Sequence, residues 1–260
     1  MSKFYAVVLT LGLLSALPVL ATDTIYNHDI VNNGNFENEL DSWTCDNCNE
    51  DDNIVYDEDY STHYLRLGSA NETEEAKQTV TLAADVGNVE LSYDCDFHST
   101  DTTAMDNYYF SLQDHTTHTT YLSDIVYPTD DVENCLQSYD LTQYAGKTLD
   151  LVFGVNNDET NTTTVSIDNV VVTEKSYSQL TGRVLDAEYN KIKKAKVTIK
   201  KDDGTLLWTG KTDKKGLFTA THLAADDYKL HVIVKKGELK KTFHTYVEWG
   251  TSYNKIYRFK

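Results

Sequence analysis

In VELSYDCDF, from Val89 to Phe97, every second side chain is apolar. Val89, Leu91, Tyr93, Cys95 and Phe97 fall on one side of an extended chain, and Glu90, Ser92, Asp94 and Asp96 on the other. A helix would return its apolar residues every three or four positions, so this pattern requires a sheet with one face buried and one wet. The same period recurs in NYYFSLQ, where Tyr108, Phe110 and Leu112 oppose Tyr109, Ser111 and Gln113. YLRLG sets Leu65 and Leu67 against Tyr64 and Arg66, and KTLDLVFGV alternates through Leu149, Leu151, Phe153 and Val155. TTVSIDNVVVT places apolar residues at Val165 and Ile167, then at Val170 and Val172. With QTVTL and an opening strand near Ile30, about eight strands precede residue 174. No long run after residue 21 has helical periodicity, and Tyr, Thr and Val are abundant, as pleated sheet favours. The chain is expected to be all-β, built as sandwiches.

Charge divides the chain in two. Residues 22–173 carry 31 Asp and Glu against Arg66, Lys77 and Lys147, a formal −28. Residues 174–260 carry 10 acids against 19 bases, a formal +9. Surfaces of opposite sign imply two folding units: an acidic domain over 22–173, a linker over 174–180 and a basic domain over 181–260. Adaptation to high salt would not leave the second half rich in lysine. The acidic half excludes nucleic acid as its partner, and the bases of the second half are too dispersed along the sequence to suggest one.

Residues 1–21 combine Lys3, an apolar run from Phe4 to Leu20, and Val19 and Ala21 placed before a cut at Thr22. That is the pattern of a cleaved secretory signal peptide, and the run is at the short limit for a bilayer span. The mature chain is therefore expected outside the cytoplasm and without a membrane span. In that setting Cys45, Cys48, Cys95 and Cys135 read as two disulfides. Three pairings are open; Cys95–Cys135 between two strands and Cys45–Cys48 within a loop are favoured. A zinc site opening at CDNC lacks a well-spaced second pair. Asn71 in NET and Asn161 in NTT are glycosylation sequons. DHTTH spaces His115 and His118 three apart with no third ligand and reads as a polar hairpin. CDNCNEDDN and YDEDY lack the regular ligands and glycine of an EF-hand and read as solvated loops.

The stretch VNNGNFENELDSWT, Val31 to Thr44, has a polar turn followed by Phe36, Glu37, and Leu40 and Trp43 spaced to pack back. NGNFENELDSW resembles the opening of carbohydrate-binding-module-like jelly rolls of the galactose-binding-like fold. KQTVTL, YDLTQYAGKTLDLVFGVNND and VSIDNVVV follow in that family's order, over residues 27–173. The resemblance implies a jelly roll with a structural calcium ion held by Glu37 and Asp168, with Asn169 where the family usually has a second Asp. Calcium takes six to eight hard oxygens, so such an ion would clamp the first strand to the last. The resemblance also implies a glycan partner. Tyr64, Arg66, Asp94, Tyr109 and Gln113 point outward, and would form one sugar-binding patch if their three strands are neighbours. Aromatic rings stack on the C–H face of a pyranose, while charged and amide groups bind its hydroxyls.

In the second half, Val197 and Ile199 alternate with lysines, as Tyr228, Leu230 and Val232 do with polar residues. KDDGT suits a tight type I′ hairpin turn, and TDKKGLF a second turn. The half resembles the carboxypeptidase regulatory-like domain, a transthyretin-like Greek-key sandwich of about seven strands, over residues 178–260. The matching positions are Gly182 and Val184, Ala195 and Val197, Gly204, Thr212 and Asp213, Gly216 and Phe218, and Leu223 and Tyr228. It departs at Asn190-Lys191-Ile192, in place of an Asn-Pro-hydrophobic turn, and at Asp226-Asp227, where a Gly normally precedes the Tyr. The resemblance implies a non-catalytic spacer or accessory domain.

No His-Glu-x-x-His, Gly-x-Ser-x-Gly or phosphate-cradling glycine loop is present in the sequence. The expectation is a secreted, non-catalytic protein whose acidic jelly roll, with structural calcium, binds a polysaccharide or a glycosylated surface. The alternative is an extracellular subunit that assembles with itself head to tail through its oppositely charged halves.

Overall fold

The computed structural model describes residues 27–48, 50–68, 73–100, 106–128, 135–158, 162–224 and 229–259. The leader and both sequon asparagines, Asn71 and Asn161, lie outside the described residues. The protein is all-β, as the alternation requires. Up to Lys175 the strands are β1 (Asn27–Asp29), β2 (Thr44–Asp46), β3 (Ile54–Asp57), β4 (Thr62–Leu67), β5 (Glu74–Thr81) and β6 (Asn88–Ser99), then β7 (Asn107–Asp114), β8 (Thr120–Val126), β9 (Cys135–Asp140), β10 (Thr148–Asn156) and β11 (Thr163–Lys175). A four-residue helix, α1 (Glu50–Asn53), precedes β3. The second half adds β12 (Ser178–Leu185), β13 (Lys196–Lys200), β14 (Leu206–Lys211), β15 (Leu217–Leu223), β16 (Lys229–Lys236), β17 (Leu239–Tyr246) and β18 (Ser252–Arg258).

The first half forms two facing sheets. One runs β3-β4-β11-β6-β9 with β1 also paired to β11, and the other runs β2-β5-β10-β7-β8. Their inward residues make one core. Phe153 lies at its centre, 4.9 Å edge-on from Tyr93, 5.1 Å from Phe110 and 5.9 Å from Trp43. Burying each such side chain contributes about 1.5–3 kcal/mol. The second half forms sheets β15-β12-β18 and β14-β13-β16-β17 around a separate core of Leu180, Val184, Val197, Ile199, Val232 and neighbours. Residues 174 and 175 end β11 and residue 178 begins β12, so two residues connect the halves in the chain.

The opening stretch closes on β11. Beyond Asp168, opposite Asp94, the register slips, and Val171 pairs with Ser92. Asn169 takes a positive φ of 51°, which Asn tolerates better than most residues. This bulge explains how Ile167 and Val170, three apart, are both buried. The freed Val170 N–H donates to the Gly34 carbonyl at 2.9 Å. A Cβ on Gly34 would sit 1.9 Å from the Val170 oxygen, so only glycine permits the approach. Trp43 Nε1 donates to the Asn33 carbonyl at 3.1 Å, and its ring packs 5.3 Å from that of Phe36.

Cys45 and Cys48 form a disulfide, and the register sets Cys95 directly opposite Cys135. At KDDGT the expected type I′ turn does not form. Gly204 alone has a positive φ there, and its N–H donates to Lys201 O at 3.1 Å. The loop is a type I turn followed by a left-handed glycine, the three-residue hairpin solution.

Candidate functional site

The expected sugar patch divides. Tyr64 and Arg66 on β4 and Asp94 on β6 belong to the six-stranded sheet; Tyr109 and Gln113 on β7 belong to the five-stranded sheet. The outward faces of a sandwich point in opposite directions, so these five side chains cannot meet one ligand. Alternation fixed which way each side chain points, but not which strands are neighbours.

On the five-stranded sheet the register builds a grid. Its first row is Asp46, Glu75, Gly154, Tyr109 and Ile125. The second is Thr44, Lys77, Val152, Ser111 and Ser123. The third is Thr79, Asp150, Gln113 and Thr120. Gly154 has no side chain, and the Tyr109 ring lies over it: a Cβ there would meet the ring 2.2 Å away. The ring reaches across β10 so that its hydroxyl donates to Glu75 Oε2 at 2.8 Å. Burial and the Glu75 carboxylate both raise the Tyr109 phenol above its ordinary range, so it stays a donor. Lys77, half-buried, stands one row below.

Asp150 points outward yet is only 2% exposed. Thr79 Oγ1 donates to its carboxylate at 2.7 Å, and His115 Nδ1 lies 2.9 Å from the same oxygen. Gln113 Nε2 donates to Ser111 Oγ at 3.0 Å. The face thus offers one aromatic ring near amide, hydroxyl, carboxylate and imidazole groups that hydrogen-bond one another, with the Lys77 ammonium one row below. Glu75, Lys77, Thr79, Asp150 and His115 did not emerge from the sequence. Gly154, alone inside a strongly alternating strand, was the available signal, since such a glycine marks close approach of another group. His115 does lie in a polar β7–β8 hairpin, where Asp114 Oδ1 accepts from Thr116 and Thr117 N–H, but its ring is turned onto the sheet.

Glu37 is held by β4. Its carboxylate accepts from Thr62 Oγ1 at 2.8 Å and His63 N–H at 2.9 Å, and lies 3.0 Å from His63 Nδ1. These contacts, the His63 ring first, lower its pKa to about 2. Asp168 is displaced the other way, by burial and by the charges of Asp94 and Glu37, while the Asn169 N–H donates to it at 2.7 Å. Asn169 Nδ2 donates to Asp94 Oδ2 at 2.8 Å. In charge this cluster suits a hard cation. In number the two expected ligands supply a fraction of a calcium shell, and among the described residues no three of His, Cys, Asp and Glu converge on a metal position.

The Glu37 contacts carry a pH dependence with a definite sign. A carboxyl depressed on folding adds stability above its unfolded pKa, and that stability is lost as pH falls from about 4.5 toward 2. Glu37→Gln, which stands in for the protonated carboxyl at every pH, is expected to lower the neutral-pH midpoint of thermal unfolding and to flatten this part of the acid limb; an unaltered midpoint and acid limb would contradict the assignment.

No family model matches the chain, and no curated protein matches it. Solved structures resemble it at low identity. A family 61 carbohydrate-binding module in complex with β-1,4-galactotriose is 13% identical, covering 57% of this chain and 99% of its own, with a TM-score of 0.44. A family 4 carbohydrate-binding module is 18% identical, covering 58% and 97%, at 0.32. A family 28 module specific for non-crystalline cellulose is 13% identical, covering 57% and 97%, at 0.37.

Proposed function

We propose that the chain is a secreted, non-catalytic carbohydrate-binding protein that engages a neutral glycan on the outward face of its five-stranded sheet, with the second half as a spacer. The supporting observation is the Tyr109 ring lying over Gly154 and tethered to Glu75. A ring fixed in this way loses little freedom when a sugar stacks on it. Ser111 and Lys77 in the adjoining row and Gln113 in the row beyond it offer partners for ring hydroxyls. Asp46, Glu75 and Asp150 outnumber Lys77 on this face, which disfavours an acidic sugar. Binding of the full chain to immobilised neutral polysaccharides tests the reading. Tyr109→Ala is expected to weaken binding at least about tenfold, or 1.4 kcal/mol; equal affinity would overturn it.

A calcium ion at Glu37 and Asp168 belongs to the same reading. It would neutralise the cluster with Asp94, and Glu37 would exchange its contacts with His63 for the ion. An ion bound at a hundred times its Kd adds about 2.7 kcal/mol. Calcium is therefore expected to raise the melting temperature by several degrees over chelator, in the parent but not in Asp168→Asn. No difference in the parent would remove the ion from the proposal.

A further inference from the structure

Lysines that look scattered along the sequence of the second half are gathered by its register. On the four-stranded sheet Lys211 lies opposite Lys196, Lys196 opposite Lys235, and Lys235 opposite Lys240. All four are exposed, while Val197, Ile199, Val232 and Val234 point into the core. One ammonium group per strand therefore crosses the whole sheet, a row roughly 14 Å long at the usual strand spacing. Like charges directly opposite destabilise a sheet, and among the described residues none of the four forms an ion pair. Lysines on the edge strands β14 and β17 also guard open edges against pairing. That role does not extend to Lys196 and Lys235 on the central strands. The adjoining outward row presents the hydroxyls of Thr209, Thr198 and Thr242 around Ile233.

We infer that this face binds a linear anionic polysaccharide, one bearing carboxylates or sulfates at intervals along an otherwise neutral backbone. The ladder carries one cation per strand spacing, about 4.8 Å, whereas duplex DNA carries one anion per roughly 1.7 Å. A sparsely charged chain matches that density better. Lysine is a point charge and lacks the planar fork of arginine that grips phosphate. Neither of the two rows holds an arginine or an aromatic ring for stacking bases. The threonine row instead suits sugar hydroxyls. The face belongs to a different sheet and core from Tyr109, so the inference does not rest on the neutral-glycan reading.

The test is affinity of the full chain for heparin, for polygalacturonate and for a duplex DNA, across a range of NaCl. Binding to heparin, polygalacturonate or both is expected, the two arms separating sulfate from carboxylate recognition, with log affinity falling linearly with log salt. Lys196→Ser with Lys235→Ser should weaken it at least about tenfold, while Lys191→Ser with Lys255→Ser, an equal charge change beside the three-stranded sheet, should change it less than about twofold. The ladder variant should melt no lower than the parent, because it relieves repulsion, and Lys196→Arg with Lys235→Arg should retain binding. Equal losses in both serine pairs would reduce the effect to net charge and overturn the inference. So would binding to neither polysaccharide, or tighter binding to DNA. Salt-sensitive self-association that the ladder variant abolishes, with no polysaccharide bound, would assign the face to a second copy instead.

Discussion

Phe153→Ala is expected to destabilise the first half by about 3–5 kcal/mol. The ring is fully buried between the sheets and touches Tyr93, Phe110 and Trp43. These neighbours come from both sheets and from the opening loop, so they cannot collapse together into the space. A void among aromatic rings forfeits their dispersion contacts as well as the transfer free energy of the side chain. In thermal unfolding of the full chain, the transition of the first half should fall by roughly 10 °C. The second half, with its own core, should melt as before. A fall of only a degree or two would mean that the sheets do not pack through Phe153.

The next residue along β10 should behave oppositely. Gly154→Ala adds a Cβ that meets the far end of the Tyr109 ring at 2.2 Å. The ring can swing away, so the sandwich should lose less than about 1 kcal/mol. The swing breaks the bond to Glu75 and removes the ring from the sheet. Glycan affinity should then fall about as far as in Tyr109→Ala, at least about tenfold, with the melting temperature nearly unchanged. Binding that survives Gly154→Ala but not Tyr109→Ala would show that the ring contributes without its fixed position.

The contrast between Phe153 and Gly154 also shows what could be read from the sequence. Alternation identified the inward residues of β4, β6, β7, β10 and β11 correctly, because a half-buried sheet imposes a period of two regardless of topology. It missed β2, β3 and β8, while the strand that carries Cys135 entered only as half of the favoured disulfide. β2, β3 and β8 are short or lie at a sheet edge, with many side chains only partly buried, and therefore lack a strong pattern. The bulge at Asn169 showed only as a change of phase between Ile167 and Val170. The site was readable only in part. Tyr109 and Gln113 were identified, but their partners Glu75, Lys77 and Asp150 come from strands whose adjacency is set by long-range pairing. Tyr64, Arg66 and Asp94 share their outward orientation but lie on the other sheet. The donors that β4 supplies to the Glu37 carboxylate are likewise announced by no local pattern. The lysine ladder was hidden for the same reason, because its four members are far apart in the sequence.

The most direct test of the central claim is amide chemical-shift mapping of the full chain during titration with a neutral oligosaccharide drawn from a polysaccharide that it binds. The expected shifts centre on Tyr109, Ser111, Gln113, Lys77 and Gly154, on the outward face of the five-stranded sheet. Shifts centred on Tyr64, Arg66 and Asp94 would place the ligand on the opposite sheet and contradict the assignment, as would saturation that leaves both faces unchanged.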